Sequence, residues 1–144
     1  MRLSSPAFAS GEAIPPRHTC DGRDVSPPLV IEDIPQGTVC LALIMDDPDA
    51  PVGTWDHWVA YDIPVTATVP EGVRSLGVAG RNSWRRAGYG GPCPPSGEHR
   101  YYFRVYALDA RSGLGEGGGK GKVLEAMKGH VLAEATLMGR YSRR

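Results

Sequence analysis

The chain has 144 residues, with 16 Lys+Arg against 16 Asp+Glu. That length suits one domain with one sizeable core, and the charge balance leaves none of the basic excess that nucleic-acid backbone binding demands. The opening Met1-Arg2-Leu3-Ser4-Ser5-Pro6 lacks the apolar core of a secretion signal, and no run approaches the ~18–20 apolar residues of a membrane span, so the expectation is a single domain over 1–144, soluble and cytoplasmic.

The 19 Gly and 13 Pro punctuate short apolar runs through the first hundred positions, a pattern that favours β structure with many turns. The first strong element is Val39–Met45, a continuous apolar run with β-branched residues that suits a strand buried on both faces. His57–Ile63 alternates next, and period two places His57, Val59, Tyr61 and Ile63 on one face and Trp58, Ala60 and Asp62 on the other. Tyr101–Leu108 is rich in aromatic and β-branched residues and reads as a third strand, with His99, Tyr101, Phe103 and Val105 sharing a face. Each of the last two strands carries a His at its N-terminal edge, which predicts a common pocket at the sheet rim.

Gly113 to Gly119 follows as a flexible surface loop. It contains G-x-G-x-x-G at Gly113, Gly115 and Gly118, but the chain lacks the alternating βαβ pattern that gives such a loop a dinucleotide. Leu124, Met127, Val131, Ala135 and Met138 then recur at three- and four-residue spacing, predicting a C-terminal amphipathic helix with a break at Gly129.

Of the three cysteines, Cys40 lies in the buried run and reads as a free core thiol. Cys20 and Cys93 occupy Pro/Gly-rich loops and could form a disulfide, bind metal or do neither; the reduced state of cytosolic thiols weights the expectation against the disulfide.

Three clusters carry chemistry. Asp46-Asp47-Pro48-Asp49-Ala50-Pro51 sets three carboxylates at the end of a buried strand, where they must reach solvent or partners, on a turn stiffened by two prolines. A cis bond at Ala50-Pro51 is a candidate rigidifying device there. Trp55-Asp56-His57-Trp58 opens the alternating strand. The third cluster, Gly88 to Tyr101, joins glycines that let a ligand approach the backbone to prolines that fix the loop's shape, and it delivers His99 and Tyr101 onto one strand face. Imidazolium, phenol and amide donors suit an anion, and an Asp among them can orient an imidazole.

Three of these motifs stand in an order that resembles the phosphatidylethanolamine-binding proteins, which include the Raf kinase inhibitor proteins and their prokaryotic relatives: Asp47-Pro48-Asp49-Ala50-Pro51, then His57-Trp58-Val59, then Gly91-Pro92-Cys93-Pro94-Pro95 leading to His99-Arg100-Tyr101. Thr19-Cys20-Asp21-Gly22, Ser26-Pro27-Pro28-Leu29 and Gly129-His130-Val131-Leu132-Ala133 extend the resemblance over nearly the whole chain, in the shorter prokaryotic form. It implies a mainly β antiparallel sandwich with a C-terminal α-helix, and a rim pocket for phosphate-like anions and phospholipid headgroups. The implied pocket residues are Asp47, His57, Pro94, Pro95, His99 and Tyr101, with Asp49 and Gly91 nearby; Arg100, Pro51 and Cys93 support the site, and Arg100 pairs with an acid of the first motif.

The resemblance implies no cofactor, no metal and no turnover. It also implies a possible kinase or protease partner and a possible homodimer. Two other functions stay open from the residues: a serine protease inhibitor acting through a surface loop, and a phosphoester hydrolase in which Asp47 and the two His bind metal or act as acid and base, with Cys93 as its best nucleophile.

Overall fold

The computed structural model describes residues 1–143. Its central strand is the apolar run: β3 (Cys40–Asp47) has all eight residues buried. It runs antiparallel between β4 (Trp55–Ile63) and β7 (Glu98–Leu108). β6 (Val78–Ala79) extends the sheet beyond β4, and β8 (Val131–Ser142) extends it beyond β7, giving the order β6-β4-β3-β7-β8. A smaller antiparallel sheet, in the order β1-β2-β5, is made by β1 (Arg2–Ser4), β2 (Leu29–Glu32) and β5 (Thr68–Val69). The fold is thus mainly β, with two antiparallel sheets and one helix near the C-terminus, α1 (Lys120–Met127).

Alternation along β3 explains why both of its faces are apolar. Leu41, Leu43 and Met45 enter the core between the sheets, against Leu3, Ile31, Val69 and Phe103. Cys40, Ala42 and Ile44 enter a second core with Val59, Tyr61 and the helix residues Val123 and Met127. Each fully buried Leu, Ile or Met side chain contributes about 1.5–3 kcal/mol relative to exposure, so a strand buried on both sides holds sandwich and helix together. No helix among the described residues is long and apolar enough to cross a membrane.

Two expectations from periodicity need correction. The helix ends at Met127, and Gly129 takes φ +79°. The chain from Val131 onward is a strand paired with β7 from Leu108↔Val131 to Glu98↔Ser142. The helical stripe is undone by burial: Val131 is 45% exposed, whereas Ala135, Leu137, Gly139 and Tyr141 are buried at a spacing of two. At Gly139 an added Cβ would meet Ile14 and Phe8 within 2.8 Å, so only glycine lets the strand pass beneath them.

β4 also departs from strict period two, because it carries one extra residue against β3 in two places. The ladder steps from Met45↔Trp58 to Asp46↔Asp56, and from Leu41↔Ile63 to Leu43↔Ala60. These bulges leave Val59 and Tyr61 under the helix, put Ile63 with Trp58 and Ala60 in the sandwich core, and release His57 from the Val59/Tyr61 face. Finally, the glycine loop is anchored at Tyr61, whose hydroxyl donates to the Gly115 carbonyl and accepts the Gly118 N–H at 3.0 Å.

Candidate functional site

The three carboxylates of the first motif separate onto different cationic or hydrogen-bonding partners. Asp46 points to the helix side, where Lys120 Nζ lies 3.1 Å and Arg104 a guanidinium nitrogen 3.2 Å away. Asp47 points to the opposite face and accepts from His99 Nδ1 at 2.6 Å. Asp49 forms a two-pronged pair with Arg100, Nε at 2.9 Å and a terminal nitrogen at 2.8 Å, and its carboxyl is held down at about 2 by that guanidinium. The Asp49 amide donates to Asp47 Oδ1 at 2.8 Å, closing the turn. All peptide bonds among the described residues are trans, so Ala50-Pro51 is not cis; side-chain bonds from Asp47 and Asp49 fix the turn instead.

Beyond that turn opens a cavity of about 310 Å³ lined by Asp47, His57, Cys93, Pro94, Pro95, His99 and Tyr101, with Pro51 at the turn. Asp49 and Gly91, expected nearby, do not line it. Asp49 is committed to Arg100. Gly91 lies behind the wall, where its N–H donates to Asp24 at 2.9 Å. A Cβ at Gly91 would collide with the Asp24 carboxylate and the His18 carbonyl, so this glycine is required for close packing.

His57 reaches the cavity because of the bulge beside it. Its Nδ1–H donates to the Gly90 carbonyl at 2.7 Å. Its ring stands edge-on to Trp84 at 4.9 Å and to Tyr101 at 5.3 Å. Burial pushes its basicity below the ordinary histidine range, against the opposing pull of the Gly90 carbonyl and Asp47. The His99 ring lies 6.5 Å from that of Tyr101, nearly parallel. Among the described residues, both imidazoles spend Nδ1 on the protein and no hydrogen bond uses either Nε2. Tyr101 is fully buried and its hydroxyl has no hydrogen-bond partner. Burial, helped by Asp47, raises its pKa, so it stays a protonated donor.

Cys93 is bonded to Cys20, with Cα atoms 5.4 Å apart, so of the alternatives open in the sequence the less favoured one, the disulfide, is the one formed. The Cys20 N–H donates to the Pro92 carbonyl at 3.1 Å and the Tyr89 hydroxyl to the His18 carbonyl at 2.7 Å, so the two Pro/Gly-rich loops are already held together where the sulfurs meet. Sequence reasoning missed the aromatic wall. Trp55 and Trp84 line the cavity and meet edge-on at 5.7 Å. Trp55 stands in a quoted motif and was assigned no role; nothing near Trp84 marked it as more than a loop residue.

The comparisons with known proteins agree with this architecture. The model of the phosphatidylethanolamine-binding protein family matches residues 4–142. A UPF0098 protein of Methanothermobacter thermautotrophicus is 50% identical, the match covering 99% of each chain. One from Aquifex aeolicus is 47% identical over 99% of this chain and 89% of its own. A solved structure from Chlamydia trachomatis, described as a phosphatidylethanolamine-binding protein homologue, superposes with TM-score 0.96 at 42% identity, covering 99% of this chain and 97% of that one. Escherichia coli YbcL, described as a member of the mammalian family, gives TM-score 0.91 at 29% identity over 99% and 98% of the two chains. With the family model spanning almost the whole domain, the chain belongs to the phosphatidylethanolamine-binding protein family.

Proposed function

We propose that the rim cavity binds a small oxyanion, a phosphoryl group free or as part of a headgroup, and that the protein acts by binding rather than turnover. The observation that carries this reading is the fully buried Tyr101 hydroxyl without a partner, in the same cavity as two imidazoles whose Nδ1 atoms are already committed. A buried donor left unmade costs about 1–3 kcal/mol, and an anion oxygen accepting from Tyr101 offsets that cost. Protonation of Nε2 on His57 or His99 adds a charge-assisted donor to the same oxygen cluster. Asp47 does not oppose the anion as a bare charge would, because it faces His99 Nδ1.

The test is calorimetric titration with inorganic phosphate and with phosphoethanolamine at pH 6, beside the double variant His57→Ala/His99→Ala. Saturable binding lost in the variant supports the site; absence of binding to the wild type overturns it.

A protease-inhibitor reading is favoured by one feature, Val52, which is 77% exposed at the cavity mouth on the turn after Pro51. Inhibition of a serine protease that survives His57→Ala but is lost in Val52→Asp would assign it. The hydrolase reading loses its nucleophile, because the Cys93 sulfur is bonded to Cys20.

A further inference from the structure

On the far side of the Trp84 loop lies a second concave site of about 330 Å³, which shares no residue with the first. Its wall is made by Arg81, Arg85 and Arg86 with Glu116, on a floor of Ala79, Gly80, Ala87 and Gly117. Small residues there leave the backbone open to a ligand.

What sets it apart is that three arginines without an ion pair line one recess; Arg23, Arg74 and Arg111 also have none among the described residues but do not line it. Arg17, Arg100, Arg104 and Arg140 each have a carboxylate within 3.2 Å. Among the described residues no carboxylate lies within ion-pair distance of Arg81, Arg85 or Arg86, although Glu116 lines the same recess. In a chain of zero formal charge, three guanidiniums around one hollow form a concentrated positive field, and guanidinium is the side chain whose planar donor fork matches phosphate oxygens.

Hydrogen bonds fix the loop backbone that carries these exposed arginines. Asn82 is buried, and its Oδ1 accepts the N–H groups of Trp84 at 3.0 Å and Arg86 at 3.2 Å, while its Nδ2 donates to the Gly88 carbonyl at 3.1 Å. The Asn82 N–H donates to the Arg86 carbonyl at 2.9 Å. The Arg81 N–H bonds the Gly118 carbonyl at 3.0 Å and the Gly117 N–H the Ala79 carbonyl at 3.0 Å, which stitches the glycine loop to the recess floor.

We propose that this recess is a second binding site for a phosphate-type oxyanion, recognised by Arg81, Arg85 and Arg86, and separated from the rim cavity by the single loop that carries Trp84. The ligand is a multiply charged phosphate, free or displayed on a lipid surface. The proposal goes beyond the rim-cavity reading and does not rest on it.

The experiment is a nuclear magnetic resonance titration of the full chain with inorganic pyrophosphate, following the Gly80, Ala87 and Gly117 amides, in the wild type and in His57→Ala/His99→Ala. Saturable shifts at those amides are expected in both proteins, and about tenfold weaker binding in Arg85→Gln/Arg86→Gln, with a smaller loss in Arg85→Lys/Arg86→Lys, which keeps the charge but not the donor fork. A parallel arm sediments the protein with vesicles of phosphatidylglycerol in phosphatidylcholine. Pyrophosphate binding alone assigns a free ligand; arginine-dependent vesicle binding as well assigns a displayed headgroup. No saturable shift at the three amides together with no vesicle binding, or equal binding by the Gln variant, overturns the proposal. Because the His57→Ala/His99→Ala protein removes rim-cavity binding alone, failure of one site is distinguishable from failure of the other.

Discussion

One carboxylate serves two neighbours at once: Asp47 accepts the His99 Nδ1–H at 2.6 Å through Oδ2 and the Asp49 amide at 2.8 Å through Oδ1. The imidazole and the acidic turn are therefore fixed by the same side chain. Asp47→Asn keeps an acceptor for the Asp49 amide but turns an NH₂ toward His99, which drives the neutral ring to the tautomer with Nε2–H. The expected outcome is anion affinity that varies less between pH 6 and pH 8 than in the wild type, measured by calorimetry.

His57 gives the apo protein a pH-dependent stability. Burial lowers its basicity in the fold, so the unfolded chain binds the proton more readily. The resulting stability is fully present above the unfolded value of about 6.5 and is lost as pH falls through the folded one. Melting temperature should fall from pH 7 to pH 5, and fall less in His57→Gln. An equal pH slope in the two proteins would show that another group governs it.

The same ring predicts proton uptake on binding. An anion beside Nε2 raises the imidazole's basicity, so binding gains at low pH and weakens as pH rises through the value in the complex. Calorimetry at pH 7 in buffers of different ionisation enthalpy should show up to about one proton taken up per anion. Heats independent of the buffer would mean that the neutral rings suffice.

The Cys20–Cys93 bond closes a long loop, with a sequence separation of 73. Chain-entropy arithmetic gives an upper figure of about 4 kcal/mol for its contribution. The surrounding hydrogen bonds remain after reduction, so the folded state should survive with a loss of about 2–4 kcal/mol. Denaturant unfolding with and without reductant measures this. No shift would show that the loops are held by their hydrogen bonds and glycine packing alone.

Gly91→Ala should be costly although Gly91 does not line the cavity. Its Cβ has no room beside Asp24 and His18, and overpacking of this kind costs about 1–3 kcal/mol. A lower unfolding midpoint and weaker anion binding are expected; normal stability would mean that the two loops can part.

Much of this was legible in the sequence because the signals were local. The apolar run at Val39–Met45, the aromatic strand before Leu108 and the three ordered motifs led to the sheet centre and the family. Errors arose where long-range pairing overrides local period. Val131 to Ser142 carries helix-spaced apolar residues, but pairing with β7 selects Ala135, Leu137 and Tyr141 for burial. Trp84 joins the site only because Asn82 folds its loop back against His57. The Cys20–Cys93 bond spans loops whose approach no spacing rule encodes.

The extra residue in β4 opposite Asp46 gives His57 its orientation. Deleting Trp58 would restore perfect alternation, preserve nearly every letter of the surrounding motif, and carry the imidazole into the Trp58 position opposite Met45, away from the Gly90 carbonyl that now holds it. Length here is as heritable a determinant of the site as residue identity. Among descendants of this fold, loss of binding should therefore arise as readily from a one-codon deletion that leaves the remaining signature intact as from replacement of the histidine itself.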